Sequence, residues 1–244
     1  MKASLFVTCL VDQFYPEVGE SVVKVLRKLG AEVDFPSGQT CCGQPAFNSG
    51  FKRQATVQAR KVLDLFEESE YIVLPSGSCA SMVKVFSPGL FSEEPDLEER
   101  FNALAARTYE FSRFLVEVMG VTDVGARYSG VVTYHASCHL LRELGVSEEP
   151  IELIRKVKGA RFVPMEGVAE CCSFGGAFAV KYARISESIL ESKLNSIEAT
   201  GADALIACDT GCLMHIAGAM SRRGMKVRPM HLAQLLAQGE IGEG

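Results

Sequence analysis

Eight of the nine cysteines in this 244-residue chain obey one pattern written twice: Cys9, Cys41-Cys42 and Cys79, then Cys138, Cys171-Cys172 and Cys212. The intervals are 32 and 37 residues in the first copy and 33 and 40 in the second, a match that chance scatter explains poorly. Only Cys208 stands outside the repeat. A single, an adjacent pair and a second single in each half is the mark of a ligand set, so the fold must bring distant thiols together twice. The length suits two units of related build, and we place them at residues 1–124 and 125–244.

The odd cysteine count and the lack of an export signal argue against a disulfide framework. The N-terminal apolar stretch is stopped by Asp12 and offers no small-residue cleavage site. It reads as a first strand, and a cytoplasmic location with reduced thiols is the expectation. Neighbouring Cα atoms lie about 3.8 Å apart, below the roughly 4.4–6.8 Å of a disulfide, so neither adjacent pair is expected to close on itself. Hydrophobic residues at 48% and charged residues at 23% describe an ordinary globular chain. A net charge of −5 with scattered basic residues leaves no footprint for nucleic acid, and no apolar run approaches the roughly 18 residues of a membrane span.

Hydrophobic periodicity gives both copies the same grammar. In the first, a strand at 5–8 delivers Cys9, and a helix at 17–29 carries Val18, Val22, Val25, Leu26 and Leu29 before Gly30. A strand at 31–36, a loop at 38–45, a helix at 51–68 and a buried strand at 71–75 lead to Cys79. In the second, a strand at 131–135 precedes Cys138, followed by a helix near 149–158 and a strand at 160–165. The Cys171-Cys172 loop opens a long helix, a strand at 204–208 runs into Cys212, and a strand at 226–230 and helix at 231–238 close the chain. Residues 87–95 read as turn-rich and 96–119 as helical. The alternation predicts an α/β fold: two duplicated Rossmann-like domains with parallel sheets, related by a pseudo-twofold. Ligands in such sheets gather beyond the carboxyl ends of strands, where Cys9, Cys79, Cys138 and Cys212 all fall.

Converging thiolates suit zinc or iron–sulfur clusters. Structural zinc favours Cys-x2-4-Cys chelates, which neither copy has within the repeated set. A cluster spreads several irons over a larger volume, so two consecutive side chains can each reach one. Its negative charge calls for N–H donors, which the loops at Gly43 and Gly175-Gly176 can offer. Any one of these residues could be a buried structural cysteine, but eight in a duplicated pattern are not well explained that way. An iron–sulfur cluster of 4Fe-4S type is the expected cofactor, with zinc possible in one half.

CCGQPAFNSG (41–50), CCSFGGAFAVK (171–181) and YHASCHL (134–140) resemble the cysteine-rich CCG domain family. Its members include one subunit each of heterodisulfide reductase and anaerobic glycerol-3-phosphate dehydrogenase, and the iron–sulfur subunit of glycolate oxidase. With FVTCLVD near the start, PSGSC and the tail VRPMHLAQLL, the whole chain most resembles the lactate-utilization branch. The resemblance implies an iron–sulfur electron-transfer component of a three-protein system oxidising L-lactate to pyruvate. Its partners would be other lactate-utilization subunits, including a ferredoxin-like iron–sulfur protein. The chain departs from the wider pattern at four residues. Ser76 and Asp209 replace the first cysteine of the family's CxxC, Cys208 sits one position early, and Ser173 takes the place of the glycine in the second CCG. Each copy therefore keeps four repeated cysteines where the heterodisulfide reductase type has five, and Cys208 is expected near Cys212 as an optional metal ligand.

His135 and His139 flank Cys138, and His215 lies one helical turn past Cys212; each could ligate metal or tune it, or serve structure alone. His231 reads as a surface or capping residue, the acidic stretch at 93–100 as a solvated helix face, and Met214, Met220, Met225 and Met230 as core filler. No nucleophile motif, phosphate loop or G-x-G-x-x-G after a strand is present, so no hydride acceptor is read on this chain and it is not expected to be catalytically complete alone. The rival readings are a subunit of a glycolate or glycerol-3-phosphate dehydrogenase or of a disulfide reductase, and a zinc-stabilised scaffold without redox chemistry.

Overall fold

The computed structural model describes residues 1–239. Four strands form the first sheet: β1 (Lys2–Leu5), β2 (Glu32–Asp34), β3 (Tyr71–Leu74) and β4 (Thr108–Glu110), all parallel, in the order β2-β1-β3-β4. The second sheet repeats it with β5 (Arg127–His135), β6 (Lys158–Phe162), β7 (Ala204–Ala207) and β8 (Arg228–His231) in the order β6-β5-β7-β8, again all parallel. The α/β fold is thus two Rossmann-like units of one topology. Ile72, Val73 and Leu74 on β3 and all of β7 are buried, as strands covered by helices on both faces must be.

The helices show why they form where they do. Pro16–Lys28 carries Pro at its first turn and Arg27 and Lys28 in its last, and it turns Val18, Val22, Val25 and Leu26 inward. Lys52–Phe66 buries Ala55, Ala59, Val62, Leu63 and Phe66, and Ala183–Ala199 buries Ser186, Leu190, Lys193, Leu194 and Ile197. The two sets share one spacing, so these helices occupy corresponding places. One continuous hydrophobic core runs from Ala3 to Leu236 across both sheets, and a smaller one joins Ala183–Ala199 to the helix Thr210–Arg223. The closing helix Leu232–Leu236 packs on Pro16–Lys28, with Gln234 3.4 Å from Glu17. Gly77 meets the second half so closely that a Cβ there would lie 2.8 Å from Leu140 Cβ. No helix among the described residues is long and apolar enough to cross a membrane.

Several sequence-based boundaries shift. The strand expected at 5–8 ends at Leu5, because the Gln39 side chain takes the place of a neighbouring strand: it accepts from Val7 N at 3.0 Å and donates to Leu5 O at 2.8 Å. The helix expected over 96–119 is Pro95–Ala106, then β4, then helical turns to Val118. A three-residue strand is too short to show alternation, and β4 exists through its pairing with Ile72, Val73 and Leu74. Similarly β2 is shorter than 31–36, β6 lies at Lys158–Phe162 rather than 160–165, and β8 extends to His231, leaving Leu232–Leu236 as the last helix. The loop at 38–45 ends in a short helix, Gln44–Asn48. The long helix after Cys172 breaks at Tyr182 into Ala177–Lys181 and Ala183–Ala199.

Candidate metal centre

Each cysteine set assembles at a place that the topology prepares. β1 and β3 are neighbours whose connections leave in opposite directions, and the crevice beyond their carboxyl ends is the switch point at which parallel sheets bind ligands. Cys9 opens the helix Cys9–Phe14 after β1, and Cys79 sits in the helix Gly77–Ser81 after β3. Cys41 and Cys42 come in from the loop before Gln44–Asn48. The second half repeats this with Cys138 after β5, Cys212 in Thr210–Arg223 after β7, and Cys171 and Cys172 in the loop ahead of Ala177–Lys181.

The two departures from CxxC have a structural meaning. Ser76 is the N-cap of Gly77–Ser81 and accepts from Cys79 N at 3.3 Å. Asp209 caps Thr210–Arg223, its Oδ1 accepting from Gly211 N at 3.0 Å and Cys212 N at 3.2 Å. In both halves the residue three before the last cysteine fixes the helix start that aims its thiol. Asp209 Oδ2 also crosses between halves, accepting from Ser78 N at 2.8 Å and Ser76 Oγ at 3.3 Å, while Gly77 N donates to Cys208 O at 3.1 Å. The two strand-end loops are thereby tied to each other.

All eight repeated cysteines line one cleft of about 210 Å³. The sequence assigned each set to its own half; the tie through Asp209 turns both sets toward a common opening. All nine cysteines are free thiols, and Cys42 Sγ and Cys79 Sγ lie 3.2 Å apart, well beyond a disulfide bond of about 2.05 Å. Cys42, Cys79, Cys172 and Cys212 are buried, and Cys9, Cys41, Cys138 and Cys171 are half-buried.

Cys208 does not join them. It is fully buried at the end of β7, where Tyr134 Oη lies 3.8 Å from its Sγ, and it is not among the residues lining the cleft. Burial, reinforced by the buried Glu110 carboxyl, pushes its thiol up. Cys208 follows β7 and lies against Tyr134 in the core, whereas Cys212 is carried by the helix Thr210–Arg223 that leaves the strand end, so the short spacing does not put both thiols at one site.

Within each quartet the thiols interact. Hydrogen bonds from Cys42 and Cys9, aided by Gly43 N at 3.4 Å, hold the Cys41 thiol well below the usual range. Those from Cys138 and Cys172, with Ser173 N at 3.2 Å, do the same for Cys171. The donor thiols move the other way: Cys9, Cys42, Cys138 and Cys172 are all pushed up, chiefly because their protons are held by the neighbouring thiolate. In each quartet the first cysteine of the adjacent pair is thus the thiol most readily ionised, the state in which sulfur binds metal. Gly43 and Ser173 both have positive φ, 93° and 66°, the turn in which their N–H groups point at the sulfur two residues back, Cys41 and Cys171. Ser173 tolerates it through reciprocal bonds with Ser186, its Oγ to Ser186 O at 2.7 Å and Ser186 Oγ to its own O at 3.0 Å.

The histidines separate. His139 lines the cleft, with Nδ1 3.7 Å from Cys138 Sγ. His215 faces Ser186 and Ser173 at 3.2 and 3.5 Å and packs on Phe174. His231 is fully buried, so it is no surface residue, and it caps Leu232–Leu236 by accepting from Ala233 N at 3.1 Å. His135 is also fully buried, and its ligating atom and those of Cys172 and Cys212 all lie within 4.8 Å of one another. Burial, with the Lys193 charge, lowers its pKa to about 3 and keeps the ring neutral, the form that binds metal.

Lys193 went unread in the sequence. It is fully buried, donates to Gly167 O at 2.6 Å, and has no carboxylate ion-pair partner among the described residues. Burial lowers its pKa, opposed by Glu170 and then by Cys172, Cys171 and Cys212. The signal was a lysine in an otherwise core-facing register. A buried cation facing thiolates, two quartets of soft donors and N–H groups aimed at sulfur together fit an anionic metal–thiolate group.

The comparisons agree with this geometry. The profile of the cysteine-rich domain family matches residues 3–84 and 132–217. The chain is 48% identical to Lactate utilization protein A of Geobacillus kaustophilus, over 97% of this chain and 98% of that one. It is 48% identical to the Bacillus subtilis protein of the same name and 50% to that of Bacillus velezensis, each over 97% of this chain and 99% of the relative. Solved structures offer only a loose likeness: a putative Asp/Glu racemase from Yersinia pestis aligns with TM-score 0.39 at 12% identity, covering 97% of this chain and 96% of that one, and nothing about the site follows from it. With duplicated thiol sets matching the profile in both halves and near-full-length relatives at almost half identity, the chain belongs to the cysteine-rich CCG domain family, in the branch of the proteins called lactate utilization protein A.

Proposed function

We propose that this protein is the iron–sulfur, electron-carrying component of a cytoplasmic multi-protein system that oxidises L-lactate to pyruvate. The observation that carries the reading is the convergence of both thiol quartets on one cleft. The names of its relatives supply the substrate. Cys9, Cys41, Cys42 and Cys79 would hold one centre and Cys138, Cys171, Cys172 and Cys212 the other, in units divided near residue 124. Held by either quartet, a cluster would supply single-electron uptake and release. The chain's own residues prepare for it: Gly43 and Ser173 N–H groups stabilise sulfur negative charge, Ser76 and Asp209 aim the last thiol of each set, and Lys193 supplies a counter-charge. Two-electron oxidation of a hydroxy acid needs a first acceptor, for which this sequence has no flavin or nicotinamide motif, so partner subunits, including a ferredoxin-like protein, would supply that step.

Anaerobic purification with iron, sulfide and zinc quantification tests the cofactor. Iron with acid-labile sulfide is expected; zinc alone would replace the reading with a structural site, the alternative favoured by the compact His135, Cys172 and Cys212 set. Deletion of the gene should abolish growth on L-lactate, while the isolated chain with an artificial acceptor should not turn over lactate. Normal growth on lactate with loss on glycolate or glycerol-3-phosphate would reassign the substrate.

A further inference from the structure

The two quartets share a design but differ in what lies behind them. His135 precedes Cys138 by three residues, as Phe6 precedes Cys9, and both stand at the carboxyl end of their sheet's second-position strand. Phe6 is buried against Phe66 at 5.1 Å. Val62 occupies the helix position of Lys193, Ala55 that of Ser186, and Gly43 that of Ser173. The N-terminal quartet is therefore backed by hydrocarbon and the C-terminal one by polar groups.

Among these, His135 is the group without an internal explanation. It is 0% exposed, and among the described residues neither Nδ1 nor Nε2 has a hydrogen-bond partner. A neutral imidazole buried with both nitrogens unsatisfied is rare, because each lost water hydrogen bond goes unreplaced. One nitrogen lies within 4.8 Å of both Cys172 Sγ and Cys212 Sγ. Its N-terminal counterpart, a phenylalanine, shows that the fold itself does not need a polar ring here.

We propose that His135 is a fifth metal ligand of the C-terminal centre, joining Cys138, Cys171, Cys172 and Cys212 in a nitrogen–sulfur donor set that the N-terminal centre lacks. This rests on the reading that the quartets hold metal. Both centres would keep four thiolates, so the added neutral imidazole changes the donor set of the C-terminal centre without changing its charge. The charge difference between the halves comes from buried Lys193, whose place Val62 takes in the N-terminal half. The two centres would then be unequal in donor set and in nearby charge.

The test uses the full chain purified without oxygen and labelled with 15N-histidine. Pulsed EPR of its paramagnetic state, with X-ray absorption at the iron and zinc edges, should show a directly bound imidazole nitrogen. That signal should vanish in His135→Phe, the residue native to the other half, and persist in His139→Phe and His215→Leu. His135→Cys, checked for folding by circular dichroism, should keep metal while losing the nitrogen coupling and lowering the reduction potential. Iron bound with no imidazole signal, or a signal unchanged in His135→Phe, overturns the assignment and leaves the iron–sulfur reading standing. Imidazole scattering at the zinc edge alone supports His135 and overturns iron–sulfur instead, and a chain that binds no metal overturns both.

Discussion

Removing the Asp209 carboxylate should weaken the fold and both metal sites together. The side chain is buried and accepts four hydrogen bonds: Oδ1 from Gly211 N and Cys212 N, Oδ2 from Ser78 N and Ser76 Oγ. Losing an N-cap costs about 1–2 kcal/mol. Losing a hydrogen bond to a charged group costs about 1.5–3 kcal/mol, and Ser78 N has no other acceptor among the described residues. Asp209→Ala should therefore lose about 3–5 kcal/mol, which for a chain of this size lowers the melting temperature by roughly 6–20 °C. Asp209→Asn keeps an oxygen for the cap but turns an NH2 toward Ser78 N–H, and should lose about 1.5–3 kcal/mol. Ser76→Ala removes one neutral cap, about 1 kcal/mol, and the double variant should fall short of the sum because the two side chains touch. Thermal and urea melts of the metal-free protein measure this, and metal quantification after reconstitution should show a deficit in both halves. An Asp209→Ala protein within about 0.5 kcal/mol of the parent, the scatter usual for neutral surface changes, would refute the account.

Three further outcomes follow from the geometry. Gly43→Ala should lose about 1–3 kcal/mol in denaturant melts, since φ is 93° and a Cβ would sit 3.2 Å from Gln58 Cβ and 3.3 Å from Ala55 O, whereas Ser173→Gly, which relieves strain but loses the Ser173 Oγ bonds to Ser186 O and from Ser186 Oγ, should change stability by about 1 kcal/mol or less. Burial lowers the His231 pKa from 6.5 to about 4, so its contribution is complete above about pH 6.5 and is lost as pH falls toward 4, at up to about 1.4 kcal/mol per pH unit; His231→Gln should flatten that acid limb, and an unchanged slope would count against it. Cys171→Ser should lower metal content while Cys208→Ser leaves it intact, and a metal loss in Cys208→Ser would bring that thiol back into the ligand set.

What the sequence by itself determined is local or periodic. The duplicated cysteine spacing, the core faces of Pro16–Lys28 and Lys52–Phe66, and the strands that deliver Cys79 and Cys212 are written in consecutive residues, so composition and periodicity expose them. Eight site residues could be named for the same reason: thiols at repeated intervals stand out whatever the fold. The rest depends on partners far apart in the chain. Gln39 ends β1 by standing in for a strand, and β4 exists only beside β3. Asp209 reads as a missing cysteine until the fold sets Ser78 against it, 131 residues away in sequence. Cys208 looks like a ligand by spacing, yet its place at the end of β7 buries it beside Tyr134. His135 and Lys193 occupy positions that carry hydrocarbon in the other half, and only burial turns an ordinary histidine and lysine into a ring and a cation that, among the described residues, have no hydrogen-bond partner and no carboxylate ion-pair partner respectively. Spacing along a chain records which residues can meet; desolvation, which gives a meeting its chemical consequence, exists only once the chain has folded.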